Sequence, residues 1–165
     1  EGITDWATLP YGAIPIDRDA TWDRVVFNKD ADGYRLPTEI EWEFAARGGD
    51  ISTEEWNMIY AGSDQAPLFF NSDNSSDVSL NQLGVSKPNR LKIYNLCGCV
   101  NQWCFDIFDK NTETDANHLK IENKYRMHRG GNWTSNSEEC TTSFRIWIEP
   151  FAHKKMGIRL ARNVK

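Results

Sequence analysis

Four cysteines, three histidines and a scatter of carboxylates are the residues of this 165-residue chain that could carry chemistry. Cys97 and Cys99 flank Gly98, Cys104 follows shortly after, and Cys140 stands apart. Thiolates bind soft metals and attack electrophiles, but Cys-X-Cys is not a zinc-knuckle spacing and a disulfide framework would be denser. Buried thiols packing as small hydrophobes fit best, with one disulfide second and a metal centre third. His118, His128 and His153 hold no ligand spacing to one another, so each is expected at the surface. Residues 71–81 repeat Asn, Asp and Ser, which are oxygen donors for calcium, yet the fixed spacing of a calcium loop is missing. A solvated loop is the simpler reading.

Recognition is the other chemistry available. Residues 126–159 have stiff, glycine-marked ends, with Arg129, Gly130, Gly131, Asn132 and Trp133 at one and Met156, Gly157, Ile158 and Arg159 at the other. Between them, Thr134, Ser135, Asn136, Phe144, Trp147, Phe151, His153 and Lys155 follow no clear period. A core strand or helix would sort such residues onto faces. Large aromatics among short polar and charged residues are the composition of a recognition surface. An ordinary irregular loop between two strands is the alternative.

The elements that must position this stretch are few. The length suits one domain, and a net charge of −5 without long basic runs argues against nucleic acid and anionic membrane as partners. No apolar run approaches the roughly 20 residues of a membrane span. Seven Trp, eight Phe and five Tyr point to a loop-rich fold pinned by large side chains. Residues 1–33, punctuated by Pro10, Gly12, Pro15 and Gly33, read as irregular structure anchored by Trp6, Tyr11 and Trp22. The first firm element is a helix after Thr38, with Glu41 completing a capping box and Gly48 ending it in a left-handed cap. Ile40 and Phe44, with the stem of Arg47, are expected to form its apolar face, and its carboxylates to serve capping rather than acid–base chemistry. Residues 50–92 read as turns pinned by Trp56, Tyr60, Phe69 and Phe70. Residues 93–106 read as a turn entering a buried strand, and 109–123 as a surface excursion. A strand through Arg129–Trp133 and a closing strand over residues 157–161 complete the prediction.

Residues 33–49 resemble the long GYRLPTE…EWE…AARGG signature of the formylglycine-generating-enzyme (sulfatase-modifying factor) family. Residues 91–106 are similar to that family's GNVWEW segment, and Arg129 to Trp133 and Gly157 to Leu160 look like its RGGSW and GFRL. The resemblance implies an α+β, C-type lectin-like fold, loop-rich with little regular secondary structure. It also implies one domain over residues 1–165 that lacks the family's N-terminal part, which another polypeptide would supply if the chain is not a fragment.

The departures from the family carry the functional reading. Oxidase members bind copper and attack a substrate cysteine with two cysteines shortly after RGGSW, and the matching positions here are Ser135 and Cys140. A hydroxyl is a poor soft-metal ligand, so half that site is missing. Some members bind calcium through the segment matching Asn95, Gly98, Val100 and Gln102, where Gln102 now offers a neutral amide in place of a carboxylate. No metal and no cofactor are expected. The stretch after Trp133 is similar to the variable region of diversity-generating-retroelement proteins on this fold. There, adenine-directed mutagenesis scatters Asn codons over a fixed scaffold. By that resemblance Trp133, Cys140, Arg145, Pro150, Gly157 and Arg159 are scaffold. Thr134, Ser135, Asn136, Glu139, Phe144, Ile146, Trp147, Ile148, Glu149, Phe151, Ala152, His153, Lys154 and Lys155 become the ligand-binding positions of a variable region at 126–159.

Three functions follow from these readings. The first is a non-catalytic binding protein facing an unknown protein or surface ligand, which the resemblance places at the cell surface, either secreted or held to the outer membrane only through an upstream lipid anchor. The second is an oxidase using Cys140, and the third is a structural accessory domain with the stretch buried against a partner.

Overall fold

A computed structural model describes residues 32–66, 87–108, 125–148 and 155–163. Expectations for Trp6, Tyr11, Trp22, Phe69, Phe70, residues 71–81 and 109–123, His118 and His153 lie outside the described residues. Helix α1 (Glu39–Ala46) starts where the capping box placed it. The Thr38 hydroxyl oxygen accepts the Glu41 N–H at 3.2 Å, and the Glu41 carboxylate accepts the Thr38 N–H at 2.8 Å. Gly48 and Gly49 end the helix with φ of 81° and 72°, a region costly for residues with a Cβ.

The buried side of α1 is not the apolar side expected from spacing. Ile40 and Phe44 are exposed, whereas Glu39, Trp42 and Ala46 are buried. Long-range pairing overrides local periodicity here: Glu39 and Glu43 turn inward because Arg129 meets both at 2.7 Å. Arg47 and Phe44 both lie against the Trp56 ring, each at 5.8 Å. The Arg47 guanidinium pairs with Glu43 at 2.8 Å and donates to the Trp56 carbonyl at 2.8 Å.

Two small sheets hold α1. Strands β1 (Tyr34–Arg35) and β6 (Ala161–Arg162) pair antiparallel. A four-stranded sheet has the order β4-β3-β2-β5, with β2 at Asn101–Phe108, β3 at Tyr125–Arg129, β4 at Ile146–Ile148 and β5 at Met156–Gly157. The β2–β3 and β3–β4 pairs are antiparallel and β2–β5 is parallel. The expected strand through Arg129–Trp133 instead ends at Arg129, because Gly130 and Gly131 turn with φ of 92° and 65°. The expected closing strand splits into β5 and β6, one in each sheet, with residues 158–160 crossing between them.

A register shift between Trp103 and Ile107 bends β2, and the Arg126 guanidinium donates to the Phe105 carbonyl there at 2.7 Å. The Phe105 N–H donates to the Pro37 carbonyl at 2.8 Å, which ties the bent strand to the entry of α1. The core gathers Trp42, Ala46, Tyr60, Leu96, Cys97, Cys104, Met127 and Cys140. All four cysteines are free and buried, so they pack as hydrophobes.

Candidate ligand-display surface

After Gly131, the chain makes a series of local turns closed by its own short side chains. The Asn132 carboxamide oxygen accepts from the Thr134 N–H and hydroxyl at 2.9 and 2.8 Å. The Ser135 hydroxyl accepts the Asn132 N–H at 3.2 Å. Asn136 and Glu139 cap each other's backbone at 3.3 and 2.9 Å, at the start of a 3-10 turn over Glu138–Cys140. Asx-type bonds of this kind fix a loop without a hydrophobic core beneath it.

Buried residues of the same stretch clamp it from below. Cys140 is fully buried, and a Cβ at Gly131 would lie 2.4 Å from its sulfur. The Thr142 N–H donates to the Ile59 carbonyl at 2.9 Å, and the Thr142 carbonyl accepts from Arg129. Arg129 itself is 1% exposed, with its guanidinium 5.2 Å from the Trp42 ring. Burial alone would push the Glu39 carboxyl up, but hydrogen bonds from Arg145 and Arg129 outweigh it and hold that carboxyl below its usual range. Glu43 follows the same logic through Arg129 and Arg47.

The predicted contact positions fall into distinct environments. Thr134, Asn136, Trp147 and Lys155 are exposed, while Ser135, Glu139, Phe144, Ile146 and Ile148 are half-buried. Glu149, Phe151, Ala152, His153 and Lys154 lie outside the described residues. Lys155 is brought back to the start of the stretch: its ammonium donates to the Thr134 hydroxyl and sits 5.7 Å from the Trp133 ring. Lys155 also has φ 59°, and its carbonyl accepts the Asn101 N–H at 3.0 Å. It therefore carries a left-handed backbone, which Thr134 and Trp147 do not. Ile146, Trp147 and Ile148 form β4 at one edge of the sheet, whereas Lys155 leads into β5 at the other. The two groups are separated by three strand spacings, about 14 Å.

The sequence reading missed two features. Ser137, Glu138 and Ser143 are also exposed within the stretch, though no periodic signal marks them. His128 is 3% exposed rather than at the surface, in edge contact with Trp103 at 6.0 Å, and neither ring nitrogen has a hydrogen-bond partner. Burial pushes its pKa down to about 4. Its position on β3, opposite Trp103 and Ile146, explains the burial, since both neighbouring strands cover it.

The residues at the oxidase positions do not suit copper. Burial pushes the Cys140 thiol up to about 12, so thiolate is scarce at neutral pH. Its partner position, Ser135, offers only a hydroxyl already engaged by a backbone N–H. Among the described residues, no group of three or more His, Cys, Asp or Glu could hold a metal ion.

Comparison with known proteins agrees with this architecture. A family model described as a sulfatase-modifying factor enzyme 1-like domain matches residues 8–164. The chaperone protein LppX of Paenibacillus barcinonensis is 31% identical over 141 residues, spanning 73% of this chain and 45% of that protein. A formylglycine-generating enzyme of Thermomonospora curvata is 28% identical over 136 residues, spanning 73% of this chain and 45% of the enzyme. Among solved structures, Treponema denticola variable protein 1 superposes with a TM-score of 0.75 at 28% identity, covering 96% of this chain and 58% of that one. The chain thus spans about half the length of these relatives.

Proposed function

This chain belongs to the sulfatase-modifying factor enzyme 1-like domain family, and within that family we propose that it is a non-catalytic display scaffold whose variable side chains bind a ligand. One contrast carries the reading. Arg129, Cys140 and Thr142 are at most 1% exposed, while Thr134, Asn136 and Trp147, a few residues away, face outward. Side chains on such a clamped loop can change with little effect on folding, because exposed substitutions seldom reach the core. A pre-ordered loop also loses little entropy on binding, so contact energy is retained as affinity.

The proposed contact set is Thr134, Ser135, Asn136, Glu139, Phe144, Ile146, Trp147, Ile148 and Lys155, continued by Glu149, Phe151, Ala152, His153 and Lys154. Its spread over about 14 Å between the sheet edges suits a macromolecular partner better than a small molecule. Trp147 is the natural anchor, since exposed tryptophan is enriched in binding hot spots. Display at a cell surface and diversification by a retroelement complete the proposal. The similarity to Treponema denticola variable protein 1 and the match of Trp133, Cys140, Arg145 and Gly157 to scaffold positions support it.

Sequencing codons 126–159 across isolates, with a search for a nearby near-copy, tests the reading. Substitutions confined to the contact set, with Trp133, Cys140 and Gly157 constant, are expected. An unvarying stretch without a template copy would refute diversification. Conversion of a cysteine peptide by the copper-loaded protein would refute the non-catalytic reading.

A further inference from the structure

We propose that the turn before β2 is closed by an internal clasp, Gln102 with Arg159, which does the work that a calcium ion does in some members of the family. The domain therefore folds independently of calcium. Gln102 is 2% exposed and uses both ends of its carboxamide. Its nitrogen donates to the Asn95 and Leu96 carbonyls at 3.2 and 3.1 Å. Its oxygen accepts from the Trp42 indole at 3.0 Å and from Arg159 Nε at 2.8 Å. A second Arg159 nitrogen donates to the Tyr94 carbonyl at 2.9 Å. Indole and guanidinium can only donate, and backbone carbonyls can only accept, so chemistry fixes which way the amide points. All four of its hydrogen-bonding directions are filled.

Gln102 and Asn95 belong to the segment through which some family members bind calcium, and here the Tyr94, Asn95 and Leu96 carbonyls beside them all accept N–H. Calcium asks for six to eight oxygens with carboxylates among them. Here the inward side chain is a neutral amide, its nitrogen faces the carbonyls, and a guanidinium lies against its oxygen. That donor set does not fit a divalent cation. The clasp does the same mechanical work: it holds Asn95 in its left-handed conformation, φ 58°, and links the turn to α1 through Trp42 and to the chain after β5 through Arg159.

The test is the thermal midpoint of the 165-residue chain and two variants, each in EDTA and in millimolar calcium chloride. The parent is expected to melt at the same temperature in both. Gln102→Glu replaces two donors with a carboxylate facing two carbonyls, so in EDTA it should melt at least about 5 °C lower, and calcium should return part of that loss. Arg159→Gln should also melt lower, by the same amount in both buffers. A parent midpoint that rises several degrees in calcium and falls back in EDTA would overturn the clasp. So would a Gln102→Glu variant as stable in EDTA as the parent. If Gln102→Glu does not fold in EDTA, the parent's response to calcium decides alone.

Discussion

Arg129 and Arg145 both bond to Glu39, yet they belong to two different regions of the molecule. Arg129 lies in the seam between α1 and β3, where its side chain is 1% exposed and its partners are Glu39, Glu43 and the Thr142 carbonyl. Arg145 lies in the display stretch, reaching the same carboxylate from a side chain that is 58% exposed. A charge out of water needs every partner it has, whereas one still in water needs none of them. The seam holds the fold, and the display stretch rests on it.

Arg129→Ala should separate the two regions most sharply. It leaves the buried Glu39 and the half-buried Glu43 beside an empty space and should cost about 3–5 kcal/mol, read as a lower denaturation midpoint. A loss below about 1 kcal/mol would mean that the seam is no more essential than the surface.

Next in size is the pH response of the sheet. His128 titrates at about 4 when folded, against about 6.5 when unfolded, so between those values the unfolded chain binds more protons. Stability should therefore fall as pH drops from 6.5 to 4, by at most about 3 kcal/mol. The Glu39 and Glu43 contribution has its own window, being lost only as pH falls below the ordinary carboxylate range. His128→Leu should flatten the upper window and leave the lower one unchanged, as measured by urea denaturation across pH. An unchanged slope between pH 6.5 and 4 would remove His128 from that role.

Arg145→Ala gives the smallest effect. Its guanidinium meets the buried Glu39 carboxylate at 2.8 Å through two nitrogens, but Arg129 still pairs that carboxylate when Arg145 is gone, so the loss should be about 1–2 kcal/mol, well short of that of Arg129→Ala. A loss equal to that of Arg129→Ala would make Arg145 as much a part of the seam as Arg129.

The same contrast explains what was legible in the sequence. The helix start was readable because Thr38 and Glu41 act within one turn, and the left-handed Gly48 followed from its place after the helix. The four cysteines were readable as packing because their spacing fits no metal or disulfide pattern. What failed depends on distance. Glu39 and Arg129 are 90 residues apart, and no local period reveals that a helix will bury its acids and expose Ile40 and Phe44. His128 reads as an ordinary polar residue until β2 and β4 are laid beside it. The motif around Arg129 marked the right place but not the right shape, because its paired glycines end a strand rather than extend one. In the display stretch, sequence resemblance named positions, while the structure separates Thr134 and Trp147 from Lys155, whose left-handed backbone favours Asn or Gly and penalises β-branched residues.

The most direct test of a fixed seam beneath a free display stretch is a saturation substitution scan of residues 125–148 and 155–163, sorted by resistance to proteolysis. Thr134, Asn136 and Trp147 should accept most side chains, and Lys155 should accept Asn and Gly but reject Val and Ile. Arg129, Gly130, Cys140 and Thr142 should accept almost nothing else. If Thr134, Asn136 and Trp147 prove as intolerant as Arg129 and Cys140, the stretch is part of the fold's own structure, and the display reading is contradicted.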